Sequence, residues 1–202
     1  MHYMVLVFTK KPDDLSKALE PFYCEELRKD FTVEQLESMD WDEVKAKWPF
    51  EYDWYTVGWG DNLPLKNNGH SMQAKIKDVD WGPTGDEFDK VYADKVKLIN
   101  MIAAGQLPGI RIDELKRYPS FNNQFESMLS DATPADEYAI RNTNYSPARI
   151  LMPDGTYYGP GWWESPMEHT IEERKKWARE FKTRFIDTLN PNTYATVVNC
   201  HN

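Results

Sequence analysis

Residues Tyr3 to Phe8 read YMVLVF, an unbroken run of β-branched, aromatic and long apolar side chains. That pattern predicts a buried strand, ended by Lys10, Lys11 and Pro12. Asp13 or Asp14 is placed to cap a short helix carrying Leu15, Ala18, Leu19 and Phe22, and Pro21 limits its length. Thr32 to Gln35 has capping-box spacing, and Leu36, Met39, Val44 and Trp48 form a roughly helical apolar stripe up to Pro49, so a surface helix is expected there. SMQAKIKDVDW, from Ser71, alternates Met72, Ala74 and Ile76, with Val79 after them, against polar neighbours, the pattern of a half-buried strand. Gly82, Pro83 and Gly85 break the chain. Phe88, Val91, Tyr92, Val96, Ile99 and Ile102 then recur at helical spacing before Gly105, a natural residue for a helix C-terminus.

From Gln106 to Asp136 the pattern is irregular, with short helical candidates at Asp113 to Tyr118 and Phe121 to Leu129 between prolines. Residues 106–136 therefore read as an insertion at one edge of the sheet. Glu137 to Arg141 and Ala148 to Met152 read as short strands, and the second meets the hairpin signal Asp154-Gly155. Thr170 and Glu173 open a helix with Ala178, Phe181, Phe185 and Leu189 on one face, stopped by Asn190-Pro191, and YATVVN, from Tyr194, is a closing strand. The order predicts an α+β fold with a mainly antiparallel sheet and helices packed on one face, a ferredoxin-like core with insertions being one such arrangement. No repeat or linker divides the chain, so residues 1–202 are expected to form a single domain.

Charge and cysteine usage narrow the function. There are 33 acidic residues against 24 Lys and Arg, a formal charge of −9, which opposes approach to nucleic acid or an anionic membrane and leaves a basic partner open. No apolar run is long enough to span a membrane. The two cysteines, Cys24 and Cys200, are far apart and form no CxxC pattern, which suits free thiols and a cytoplasmic location.

Motifs for P-loop nucleotide hydrolysis, dinucleotide binding, zinc proteolysis, EF-hand calcium binding and the hydrolase nucleophile elbow are missing, and no cofactor or metal is expected. Cys200-His201 suggests a thiolate, but strand neighbours point to opposite faces, so the pair would not meet. Asp78 and Asp80 would share a face if their segment were a strand, the best of several chance carboxylate pairs. Aromatic density is more distinctive. Tyr52, Trp54, Tyr55 and Trp59 cluster in EYDWYTVGWGDN, and Tyr157, Tyr158, Trp162 and Trp163 in TYYGPGWWE. Their rings suit stacking on a planar ligand, and the glycines, Gly58 and Gly60 among them, would let backbone amides approach an anion. The same residues also suit a core closed beneath glycine turns. Arg141 and Arg149 are candidates for gripping an anionic ligand, or for pairing with the abundant acids, and His201 for lining the site.

Together YDWYTVGWG, MPDGTYYGPGWWE and TVVNCHN resemble a family of uncharacterised small bacteriophage-encoded proteins. Tyr52, Asp53, Trp54, Tyr55, Gly58, Pro153, Asp154, Gly155, Trp162, Trp163, Cys200 and His201 match its pattern. Trp59-Gly60-Asp61 stands where the family has Gly-Arg-Trp, and Asn199 where it has Asp before Cys-His. The resemblance implies a phage accessory protein in the host cytoplasm and supplies no mechanism. The expectation that follows is a non-enzymatic protein that binds a nucleotide-like small molecule and counters host defence by sequestration. Its ligand-binding residues would be Trp54, Tyr55, Gly58, Trp59, Gly60, Arg141, Arg149, Trp162, Trp163 and His201. The alternatives are an inhibitor of a host defence protein and a small enzyme using Cys200 or His201.

Overall fold

The computed structural model describes residues 2–40, 42–44, 48, 51–58, 62–106, 135–161 and 169–202. The apolar opening run forms β1 (His2–Thr9). Short helical segments follow it: a 3-10 turn at Pro12–Asp14, α1 (Leu15–Leu19), a second 3-10 turn at Glu20–Phe22 that holds Pro21, and α2 (Cys24–Arg28). The capping box forms at α3 (Val33–Ser38), where Thr32 Oγ1 accepts from the Gln35 amide at 3.2 Å and the Gln35 side chain accepts from the Thr32 amide at 2.8 Å. The expected helix does not run on to Trp48. Met39 is extended, and Asp40 starts a new turn by accepting from the Asp42 amide through its side chain and from the Val44 amide through its carbonyl.

β2 (Trp54–Val57), β3 (Leu63–Pro64), β4 (His70–Ser71) and β5 (Gln73–Lys75) are short. The alternating segment leaves the strand at Ile76–Asp78, a 3-10 turn, so Asp78 and Asp80 do not line one strand face. Asp80 instead accepts from the Gly82 amide at 3.1 Å. The periodic run forms α4 (Gly85–Ala103), with Gly105 at φ +69° in the left-handed position that ends it.

Glu137 to Arg141 is helical, part of α5 (Ala135–Thr143), against the strand expectation. This helix buries Glu137, Tyr138, Ala139 and Ile140 in succession, so the short window Glu137 to Arg141 reads as a strand although Ala135, Tyr138 and Ala139 have helical spacing. β6 (Ile150–Leu151) and β7 (Tyr157–Tyr158) form the expected hairpin, followed by α6 (Ile171–Phe181), a π-helical turn at Lys182–Ile186, and β8 (Tyr194–His201). Most of the insertion expected at 106–136, residues 107–134, lies outside the described residues.

The main sheet has the order β2-β8-β1-β6-β7, with β5 also paired to β8, and a separate two-stranded sheet joins β3 and β4. The fold is α+β and the main sheet is mainly antiparallel, β1–β6 being its parallel pair. Two features differ from expectation. A ferredoxin-like split βαβ unit separates its parallel strands, whereas here β6 lies directly beside β1, with Leu6 opposite Ile150. Helices also flank both faces. On one, Leu6, Phe8 and Val197 meet Phe181 and Phe185; on the other, Val5, Val7 and Val198 meet Leu15 and Leu19 of α1. β1 is apolar from Tyr3 to Phe8 because both of its faces are covered there, and β8 buries Val197 and Val198 on opposite faces.

Candidate functional site

Strand register assembles the candidate site. β8 lies between β1 and β2, and His2, His201 and Trp54 fall opposite one another across the three strands. Alternation places them on the face that carries Leu6 and Phe8 further along β1. At this end the face is open: Trp54 is 44% exposed as a residue, and the His201 side chain is 32% exposed. The Trp54 and His201 rings stack at 5.2 Å with 17° between planes, and His2 meets both edge-on, at 5.5 Å from Trp54 and 4.9 Å from His201.

Each imidazole is oriented by a neighbour. Asp53 accepts from His201 Nδ1–H at 2.8 Å, since a carboxylate can only accept. In neutral His201 this leaves Nε2 as the acceptor, and protonation makes it a donor. His2 Nδ1 lies 3.0 Å from Asn199 Oδ1, an orientation consistent with the Asn199 amide turning its NH₂ towards Met4 Sδ at 3.2 Å. Burial pushes the Asp53 carboxyl up, but the hydrogen bond and charge of His201, with nearby backbone amides, outweigh it and hold the group below its ordinary value.

The opposite face carries different chemistry. Cys200 is fully buried there beside Tyr3 and Tyr55, and burial pushes its thiol up despite the opposing charge of Arg149. It is therefore held as a thiol and points away from His201. Cys24 is also a free thiol.

Of the sequence candidates, the structure brings Trp54 and His201 together. Tyr55 lies on the opposite face, its ring edge against Tyr52 and its hydroxyl 2.9 Å from Ser16 Oγ. Gly58 has φ +83° and spends its amide on the Val197 carbonyl, and a Cβ there would sit 2.2 Å from Met72 Sδ. Its glycine serves a close packing contact instead of an anion. Arg141 is bound within its own helix, 2.6 Å from Glu137, which also pairs with Arg174 at 3.4 Å. Arg149 is buried over the Tyr3 ring and donates to the Pro160 and Gly161 carbonyls at 3.2 and 3.1 Å. Both arginines thus act on the protein itself, one in a buried ion pair and one in clamping the loop after β7. Trp59, Gly60, Trp162 and Trp163 lie outside the described residues.

His2, Asp53 and Asn199 are the site residues that sequence reasoning missed. Asp53 sits inside the quoted aromatic motif, and His2 and His201 lie near opposite ends of the chain; only the β1–β8 register joins them. Among the described residues no group of three or more His, Cys, Asp and Glu could hold a metal ion, and no helix is long and apolar enough to cross a membrane. Compared with protein-family models, curated proteins and solved structures, the chain matches none.

Proposed function

We propose that this chain is a non-enzymatic binding protein that holds a nucleotide-like small molecule at the Trp54 end of the sheet. The observation that supports it is the part-exposed Trp54 ring packed with two imidazoles whose Nδ1 atoms are engaged by Asp53 and Asn199. The indole supplies a stacking surface for a planar base. His201 Nε2 accepts from a base N–H when neutral, and donates to a phosphate oxygen when protonated. In the setting implied by the resemblance to phage proteins, the role is sequestration of a host signalling nucleotide. Catalysis by Cys200 has no support from its burial or its facing, and the Asp53–His201 pair is read as a binding element.

Calorimetry against a panel of cyclic and ADP-ribose-type nucleotides tests the reading. At least one should bind, and Trp54→Ala should weaken it by about 1–3 kcal/mol, the worth of one stacked base. Heat with no member of the panel contradicts the proposal, as does binding that Trp54→Ala leaves unchanged.

A further inference from the structure

β2 ends the main sheet on one side. β8 pairs with its inner edge, and among the described residues no strand pairs with Tyr55 to Val57 on the outer edge. The Gly58 amide donates to the Val197 carbonyl at 2.9 Å, in the register that sets Thr56 opposite Asn199 and Trp54 opposite His201. Hydrogen-bonded pairs alternate along an antiparallel ladder. Trp54, Thr56 and Gly58 therefore turn their backbone groups towards β8, and Tyr55 and Val57 turn theirs outward.

The neighbouring stretch of the same edge already accepts an extended segment. Tyr52 donates its amide to the Phe22 carbonyl at 3.1 Å and accepts from the Cys24 amide at 2.8 Å, in a parallel bridge between Tyr23 and Tyr52. The chain then turns away into α2, and the line of outward donors and acceptors continues without it at Tyr55 and Val57. Charge indicates what suits this edge. The protein carries −9 overall, the Asp53 carboxylate beside β2 is 46% exposed, and Glu25, exposed, follows Tyr23 and Cys24.

We propose that the outer edge of β2 docks an extended basic segment of a partner protein, added as a strand along Tyr55 to Val57. Its lysine or arginine side chains face Asp53 and Glu25. Main-chain bonds supply attachment, and the acidic flank selects for positive charge. The edge meets the Trp54 face at Asp53, whose carboxylate also accepts from His201, and the docking proposal does not depend on the nucleotide reading.

The probe is a synthetic peptide of alternating lysine and valine, with a glutamate–valine peptide as its control, titrated into the intact protein and followed by amide NMR. The lysine–valine peptide should bind saturably, shift the Tyr55 and Val57 amides, and weaken with added salt. Val57→Pro removes an outward donor while sparing the β8 ladder, a place where an edge strand tolerates proline. It should weaken binding about tenfold, and Val57→Ala, which keeps the donor, should not. If Val57→Pro fails to fold, N-methylation of alternate peptide residues makes the same test from the partner's side and should likewise weaken binding. No binding, equal binding of the glutamate peptide, or binding indifferent to both backbone changes overturns the proposal. So does a dimer in sedimentation that Val57→Pro disperses, because a second copy would then occupy the edge. Nucleotide calorimetry on Val57→Pro should match the unaltered chain, so failure here and failure of the nucleotide reading are told apart.

Discussion

Asp53 decides which nitrogen His201 presents. With Nδ1–H committed to the carboxylate at 2.8 Å, Nε2 is the atom left to a ligand, and the imidazole is held in its stack on Trp54. The carboxyl value is depressed in the folded protein relative to about 3.9 for a free Asp. Its stabilising contribution is therefore present above that unfolded value and is lost as pH falls through the folded one. An NMR titration of the Asp53 carboxyl should show a midpoint below the free value, moved upward in His201→Ala. A midpoint at the free value, or one that His201→Ala does not move, contradicts the pairing. Asp53 was visible in the sequence as part of the aromatic motif, yet its role needed His201 beside it, and that neighbour comes from the far end of the chain.

Elements set where such neighbours fall. β2 presents Trp54 to one face and Tyr55 to the other, and Gly58 ends it with φ +83° against Met72. Gly58→Ala should cost about 1–3 kcal/mol for the left-handed backbone alone, plus whatever Met72 must yield to a new Cβ. Urea denaturation should show the loss, with a part recovered in a Met72→Ala background; an unaffected midpoint contradicts the packing role. Elements with sharp local signals were legible in the sequence: β1 from its apolar run, α4 from its period and terminal glycine, α3 and α6 from their capping boxes, the β6–β7 hairpin from Asp154-Gly155. Elements whose conformation is decided by their surroundings were not. The window Glu137 to Arg141 is too short and too evenly apolar to reveal α5, and the segment after β5 turns at Ile76 although Met72, Ala74 and Ile76 alternate up to that point.

For the whole molecule, long-range pairing was the least legible layer. Composition and element order point to an α+β fold, but not to the adjacent parallel β1–β6 pair or to helices on both faces, because each depends on contacts between distant segments. The same holds for the site, where the β1–β8–β2 register brings together Trp54 and His201 of the described candidates and adds His2, Asp53 and Asn199. The two arginines that would have carried anion recognition are used inside the fold, by Glu137 and by the loop carbonyls of Pro160 and Gly161. Among the described residues, recognition in the proposed site therefore falls to the Trp54 indole and the two imidazoles. The most direct measurement is an NMR titration of the protein, labelled at its indole and imidazole nitrogens, with the tightest nucleotide of the calorimetric panel. Saturable shifts are expected at the Trp54 indole and at the His2 and His201 rings; saturation with those three resonances unmoved would contradict the proposed site.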